Sequence, residues 1–218
     1  MRKNDGELVD RVSDELTLDP KVNSAAIGVS SEDGMVRLRG TVGTFREKRE
    51  AEQAAKRVHG VEIVDNELQV RPLLNHEVRE DAELRGDVLQ ALALDDLVPK
   101  TIDAKAEGGR VTLTGLADWQ YQRDEAEFVA SNIVGALHVV DEIALKPKPD
   151  QGDVKGAIKR AFERSAGIDA DRLTVTVDKE TVTVKGVVSS WAEHDEAVAA
   201  AWSAPGVLQV VDHVTVRH

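Results

Sequence analysis

The chain has 218 residues, 28 Lys and Arg against 40 Asp and Glu for a formal net charge of −12, and no cysteine. The missing cysteines exclude disulfides, thiol chemistry and thiolate-ligated metals, and the acid excess repels phosphate backbones, which excludes sequence-independent nucleic-acid binding. Aromatic residues are only 3%, so a core must be built from Val, Leu, Ile and Ala.

Met1–Leu8 is polar and charged, with no apolar stretch of the kind a secretory signal needs. On that ground the chain as written is expected to be cytoplasmic, and periplasmic where a leader has been removed. No apolar run approaches the ~18 residues of a transmembrane helix.

The first element is an amphipathic helix, with Leu8, Val9, Val12 and Leu16 on one face and Asp19-Pro20 as its end. A strand over Ala25–Ser30, the turn Glu32-Asp33-Gly34 and a strand over Met35–Arg39 read as a hairpin. In the second strand Val36 and Leu38 point inward, and Arg37 and Arg39 outward. Gly40 is expected to close that strand. A helix capped by Thr44 follows, with Ala51, Ala54, Ala55 and Val58 inward; Gly60 ends it, and Ile63–Val70 is the last strand.

The same order then recurs twice. The glycine pairs Gly40/Gly60, Gly115/Gly135 and Gly186/Gly206 are each 20 positions apart, and the copies step by 75 and then 71 residues. Copy two has Leu84, Val88, Leu89 and Leu92 in its helix, strands over Thr101–Ala106 and Arg110–Thr114, a helix capped by Asp118, and a strand over Val139–Leu145. Copy three has Val154, Ile158 and Phe162 with Gly167 as the stop, strands over Leu173–Val177 and Thr181–Lys185, a helix capped by Ser190, and a strand over Val210–Val216. A repeat of this length outranks every local signal in assigning a fold. The fold class is therefore α+β: three tandem αββαβ domains over 1–74, 75–147 and 148–218, each a three-stranded mixed sheet with two helices on one face. Proline in Arg71-Pro72-Leu73-Leu74 and Lys146-Pro147-Lys148-Pro149 stiffens the joins.

The repeated residues are Val36–Gly40, Val111–Gly115 and Val182–Gly186 as V-x-L/V-x-G, an alanine-rich helix, and then Val64-Asp65, Val140-Asp141 and Val211-Asp212. In this order the chain resembles the BON domain family, named for osmotically induced and nodulation proteins of bacteria. The resemblance covers nearly the whole chain, three times over. It implies a non-enzymatic protein, a periplasmic or membrane-attached setting, and a role against phospholipid; similar domains occur in secretins, channel-associated and stress proteins.

The chemistry-bearing residues do not converge in the sequence. His59, His76, His138, His194, His213 and His218 show no metal-ligand spacing, and no nucleophile has an evident base. No catalytic residue, metal or cofactor is expected. Glu50/Glu52 and Glu125/Glu127 lie two apart on a helix and read as solvated, as do the histidines. Two groups remain as binding candidates. Lys155, Lys159, Arg160 and Arg164 make the opening helix of copy three locally basic. Phe45, Trp119, Tyr121 and Trp191 lie near the start of each second helix, as interface anchors or as staples over the core edge. The expected activity is non-catalytic binding in a bacterial stress response, against phospholipid or envelope surfaces. The alternative is a cytoplasmic protein–protein scaffold.

Overall fold

The structure is a computed structural model describing residues 5–71, 80–147, 154–164, 172–204 and 206–217. Among them are six α-helices and three three-stranded sheets, in the α+β order expected. The first repeat comprises α1 (Asp5–Leu18), β1 (Ile27–Glu32), β2 (Met35–Val42), α2 (Phe45–Arg57) and β3 (Ile63–Val70). The second comprises α3 (Asp81–Leu94), β4 (Asp103–Glu107), β5 (Arg110–Ala117), α4 (Gln120–Ser131) and β6 (His138–Leu145). The third comprises α5 (Val154–Arg164), β7 (Leu173–Asp178), β8 (Thr181–Val188), α6 (Trp191–Trp202) and β9 (Gln209–Val216). Gly167 and the proline joins at 72–74 and 148–149 lie outside the described residues.

In every sheet the second strand is central. The hairpins pair antiparallel, and β5–β6 and β8–β9 pair parallel, as a helical crossover permits. Asp33 and Gly34 (φ 49° and 82°) and Gly108 and Gly109 (φ 55° and 79°) both take positive φ, the two-residue turn whose twist matches the strands.

The periodicities select the cores. Leu8, Val12 and Leu16 of α1, Leu84, Val88 and Leu92 of α3, and Ile158 and Phe162 of α5 are buried on their own sheets. Beside them the second helices bury alanine: Ala51, Ala54 and Ala55, then Ala126 and Ala130, then Ala197 and Ala201. Small side chains let a helix axis come close to the sheet, so Val36, Leu38, Val111, Leu113, Val182 and Val184 are fully covered without aromatic bulk.

Three expectations need correction. The glycines at 40, 115 and 186 do not end their strands: β2, β5 and β8 each run two residues further. Val36, Leu38, Gly40 and Val42 form one period-two row, as do Val111–Ala117 and Val182–Val188, and the last member of each is buried. The glycine is required because the first strand begins against it. A Cβ on Gly40 would lie 1.9 Å from the Ala26 carbonyl oxygen, on Gly115 2.3 Å from that of Thr101, and on Gly186 2.2 Å from that of Arg172. Second, Ser24–Ala26 is a 3-10 turn, so β1 starts two residues later than expected. Third, the helices end before Gly60, Gly135 and Gly206, which take positive φ in the turn into the last strand.

By contact density the chain forms two compact units, Met1–Ala55 with Val64–Leu145, and Lys56–Ile63 with Lys146–His218. Within the first unit α2 meets the second repeat. The Phe45 and His138 rings are edge-to-face at 6.3 Å, the Arg46 guanidinium lies 5.2 Å from the Phe128 ring centre, and Arg49 Nη1 is 3.4 Å from Glu127 Oε1.

Candidate binding surfaces

Each second helix starts with the same device. The third helical residue after the cap reaches back and accepts a backbone N–H: Glu47 from Gly43 (2.7 Å), Gln122 from Asp118 (2.9 Å) and Trp119 (3.1 Å), Glu193 from Ser189 (2.8 Å). Thr44 and Ser190 complete it by accepting from the N–H of Glu47 and Glu193. Asp118 is not the cap of α4. Trp119 occupies that position, because the register of 75 carries Thr44 onto residue 119. With no oxygen on its side chain, Trp119 cannot accept a backbone N–H as Thr44 and Ser190 do.

Four positions later the same register exposes a feature that the Val-Asp motif hides. Lys48, Arg123 and His194 are equivalent, and so are Asn66, Asp141 and Asp212. In each repeat these two positions lock the helix to its last strand. Asn66 Nδ2 donates to the Lys48 carbonyl (2.9 Å) and to Glu52 (3.3 Å). Arg123 donates to Asp141 Oδ2 from Nε (2.9 Å) and Nη2 (2.8 Å). His194 Nε2 lies 2.8 Å from Asp212 Oδ2. Oδ1 of the same residue accepts from the backbone two residues on: Asn66 from Leu68, Asp141 from Ile143, Asp212 from Val214. Asp65, by contrast, points to the open face and pairs with Arg37 Nε at 2.7 Å. The 75-residue step places Asn66, not Asp65, at the position of Asp141.

Several polar side chains expected in solvent are engaged. The His194 side chain is 12% exposed, packs edge-to-face on Trp191 at 4.8 Å, and has Nδ1 3.0 Å from Asp195. The hydrogen bond to Asp195, with Asp212 behind it, raises the imidazole pKa above its ordinary value against the opposing pull of burial. Glu127 faces Arg49 of the first repeat, and burial raises its carboxyl pKa despite that guanidinium. Glu50 takes Lys21 at 3.0 Å and Arg46 at 3.7 Å. His76 and His218 lie outside the described residues.

The two candidate groups fare differently. The aromatics separate: Phe45 and Trp191 are half-buried, one against His138 and one on the third core, whereas Trp119 and Tyr121 are 37% and 53% exposed. The basic set stays together. Lys155, Lys159, Arg160 and Arg164 are all exposed on α5, while Ile158 and Phe162 are buried in the third core. On the sheets' open side lies a charged row in repeat one, Arg37 and Arg39 against Asp65 and Glu67 at 2.7–3.1 Å; the equivalent rows carry Thr112 and Thr114, then Thr183 and Lys185. Among the described residues no helix is long and apolar enough to cross a membrane.

Comparison with known proteins follows this geometry. Osmotically-inducible protein Y of Escherichia coli (strain K12) is 29% identical over 147 residues, covering 66% of this chain and 73% of that protein. A protein of Anaplasma centrale, an uncharacterized protein in the gshII 5'region, is 27% identical over 125 residues, covering 54% of this chain and 83% of that one. Among solved structures, the C-terminal domain of CdsD, a structural protein of the Type III secretion system of Chlamydia trachomatis, is 14% identical with a TM-score of 0.27, covering 97% of this chain and 98% of that one. The BON domain matches at residues 4–72, 80–147 and 150–218, and the chain belongs to that family.

Proposed function

We propose that this chain is a non-catalytic binding protein of a bacterial stress response, and that it rests against anionic phospholipid through α5. The observation that carries the reading is the exposed set Lys155, Lys159, Arg160 and Arg164, four cations on one short helix of a chain with net charge −12. Salt at ~0.1 M screens charge beyond about 10 Å, so a surface in contact with α5 feels these four rather than the acid elsewhere. Each is worth roughly 1 kcal/mol against an anionic leaflet, and with one acid in the same helix its net charge of +3 leaves about 3 kcal/mol, a millimolar affinity. The apolar face of α5 is committed to its own core, so the contact is electrostatic and lies on the surface. The similarity to an osmotically inducible protein supports the stress assignment.

Cosedimentation with phosphatidylglycerol vesicles and with phosphatidylcholine vesicles tests this. Binding only to the anionic vesicles, fading with added salt and lost in Lys155→Glu/Lys159→Glu, is expected. Equal binding by the double variant, or none at low salt, refutes it. A second reading, a protein-interaction scaffold, is favoured by the exposed Trp119 and Tyr121. Retention of every partner by a Trp119→Ala/Tyr121→Ala variant in a pull-down would count against it.

A further inference from the structure

The start of α2 does in the first repeat what its equivalent in the second does not. Phe45, Arg46 and Arg49 reach His138, Phe128 and Glu127 of the second repeat, and all three are half-buried. In the second unit the start of α6 behaves likewise against the first repeat: the Lys56 ammonium lies 4.6 Å from the ring centre of Trp191. Trp191 is the equivalent of Phe45, and Lys56 lies one turn beyond the equivalent of Phe128. Two of the repeats therefore lay the start of their second helix on the second half of another's.

This leaves one starting face and one receiving face over. The starting face is that of the second repeat, where Gln120, Tyr121 and Asp124 stand for Phe45, Arg46 and Arg49. Tyr121 is 53% exposed. The receiving face is that of the third, where Val198, Ala199 and Gln209 stand for Glu127, Phe128 and His138, with Ala199 and Gln209 exposed. The two faces have changed in step. Where the Arg46 guanidinium lies on the Phe128 ring, the bulk has changed sides, and a tyrosine would meet an alanine. Where Phe45 meets His138, Gln120 would meet Gln209. The Arg49–Glu127 ion pair has lost both members. Asp124, which would lie by Val198, is held along its own helix, its carboxylate accepting from Gln120 Nε2 at 2.8 Å.

We infer that the start of α4 docks on α6 and the start of β9 in a second copy of this chain, so that copies join head to tail. The contact continues the one the repeats already make inside the chain. Tyr121 is solvated within a single chain, so the receiving face it meets belongs to another. A contact between unlike surfaces builds rings or open chains, because each added copy brings a fresh start and a fresh receiving face. The inference rests on the scaffold reading for Tyr121 and names its partner. It shares no residue with α5, so it and the lipid reading can fail separately.

Analytical ultracentrifugation of the full chain from micromolar to millimolar concentration tests this. The weight-average mass is expected to climb with concentration. Added salt should raise it further, because screening removes the repulsion between chains of net charge −12 and the contact holds no ion pair. Tyr121→Glu and Ala199→Glu should each weaken self-association at least tenfold with an unchanged circular dichroism spectrum. Mixed together, the two variants should form a dimer and nothing larger, since the first keeps a receiving face and the second a start. Leu18→Glu, at a 79% exposed position of α1, should associate like wild type. Four results would overturn the inference: a mass that stays at one chain throughout, undiminished association by either variant, no dimer in the mixture, or a loss in Leu18→Glu equal to that in Tyr121→Glu. Capture of other proteins through Tyr121 by a chain that stays monomeric would keep the scaffold reading and overturn this one.

Discussion

Gly115→Ala tests the role of the three strand glycines. Gly115 has φ +128°, and a Cβ there would lie 2.3 Å from the Thr101 carbonyl oxygen and 3.0 Å from Ile102 Cα. Both obstacles are backbone, and the Thr101 hydroxyl donates to the Leu116 carbonyl, tethering the two segments on either side of the glycine. An alanine held at positive φ costs roughly 1–3 kcal/mol. Forcing the neighbouring backbone apart costs about 1–3 kcal/mol more. The smaller conformational freedom of the unfolded alanine chain returns ~0.4–1 kcal/mol. A net loss of roughly 1–5 kcal/mol follows, a large share of the ~0.05–0.15 kcal/mol per residue that holds a domain together. Urea unfolding followed by tryptophan fluorescence measures it, since Trp119 reports on this repeat. Gly86→Ala is the control: it lies inside α3 with nothing within 4 Å of its Cβ, and should stabilise by about 0.5–1 kcal/mol. A Gly115→Ala protein within ~1 kcal/mol of wild type would show that the strand can move off Thr101, and would refute the close-approach account.

The remaining predictions concern the locks and the surface. Arg123→Gln leaves Asp141, itself 17% exposed, without its partner and should cost roughly 1–3 kcal/mol in the same assay; adding Asp141→Asn should recover part of it. Arg37→Gln/Arg39→Gln removes a row whose side chains are 37% and 60% exposed, and should shift stability by about 1 kcal/mol or less. The third repeat should lose stability toward alkaline pH through His194. Because the folded pKa of His194 is raised, its contribution is complete below the unfolded value near ~6.5 and is lost as pH rises through the raised one. Amide exchange in β9 corrected for intrinsic rates should therefore show less protection at alkaline pH, and His194→Gln should remove that dependence.

Period and repeat made the cores legible. Leu84, Val88 and Leu92 recur at helical spacing, and Val111 and Leu113 alternate, so their burial follows from the sequence. The same rule applied two steps further would have carried β5 through Gly115 to Ala117; treating glycine as a stop overrode an alternation that was present. The contacts joining α2 to the second repeat were not legible. Arg49 and Glu127 are polar residues on helical faces that solvent would satisfy equally well, and no periodicity marks a side chain that meets a neighbouring domain. His194 was missed for a related reason: one histidine reads as surface until position 212 is known to lie beside it. The α5 cations were legible because four like charges on one helix need no tertiary information.

The lock between the second helix and the last strand shows what the triplication has preserved and what it has released. Its geometry recurs: position 48, 123 or 194 meets position 66, 141 or 212, and the latter also accepts from the backbone two residues on. Its chemistry does not, being an amide on a carbonyl, a bidentate ion pair, and an imidazole on a carboxylate. Folding asks only that helix and strand be joined there, and any of the three suffices. The buried alanine and valine rows vary little because volume constrains them. The outer surfaces have no such constraint and have diverged fully, to a charged ladder on the first repeat, the exposed Trp119 and Tyr121 on the second, and a cationic helix on the third. Exchanging α5 for α1 within the full chain should therefore leave the third sheet folded and abolish vesicle binding. Vesicle binding that survived the exchange would show that the cationic helix is not what distinguishes this repeat.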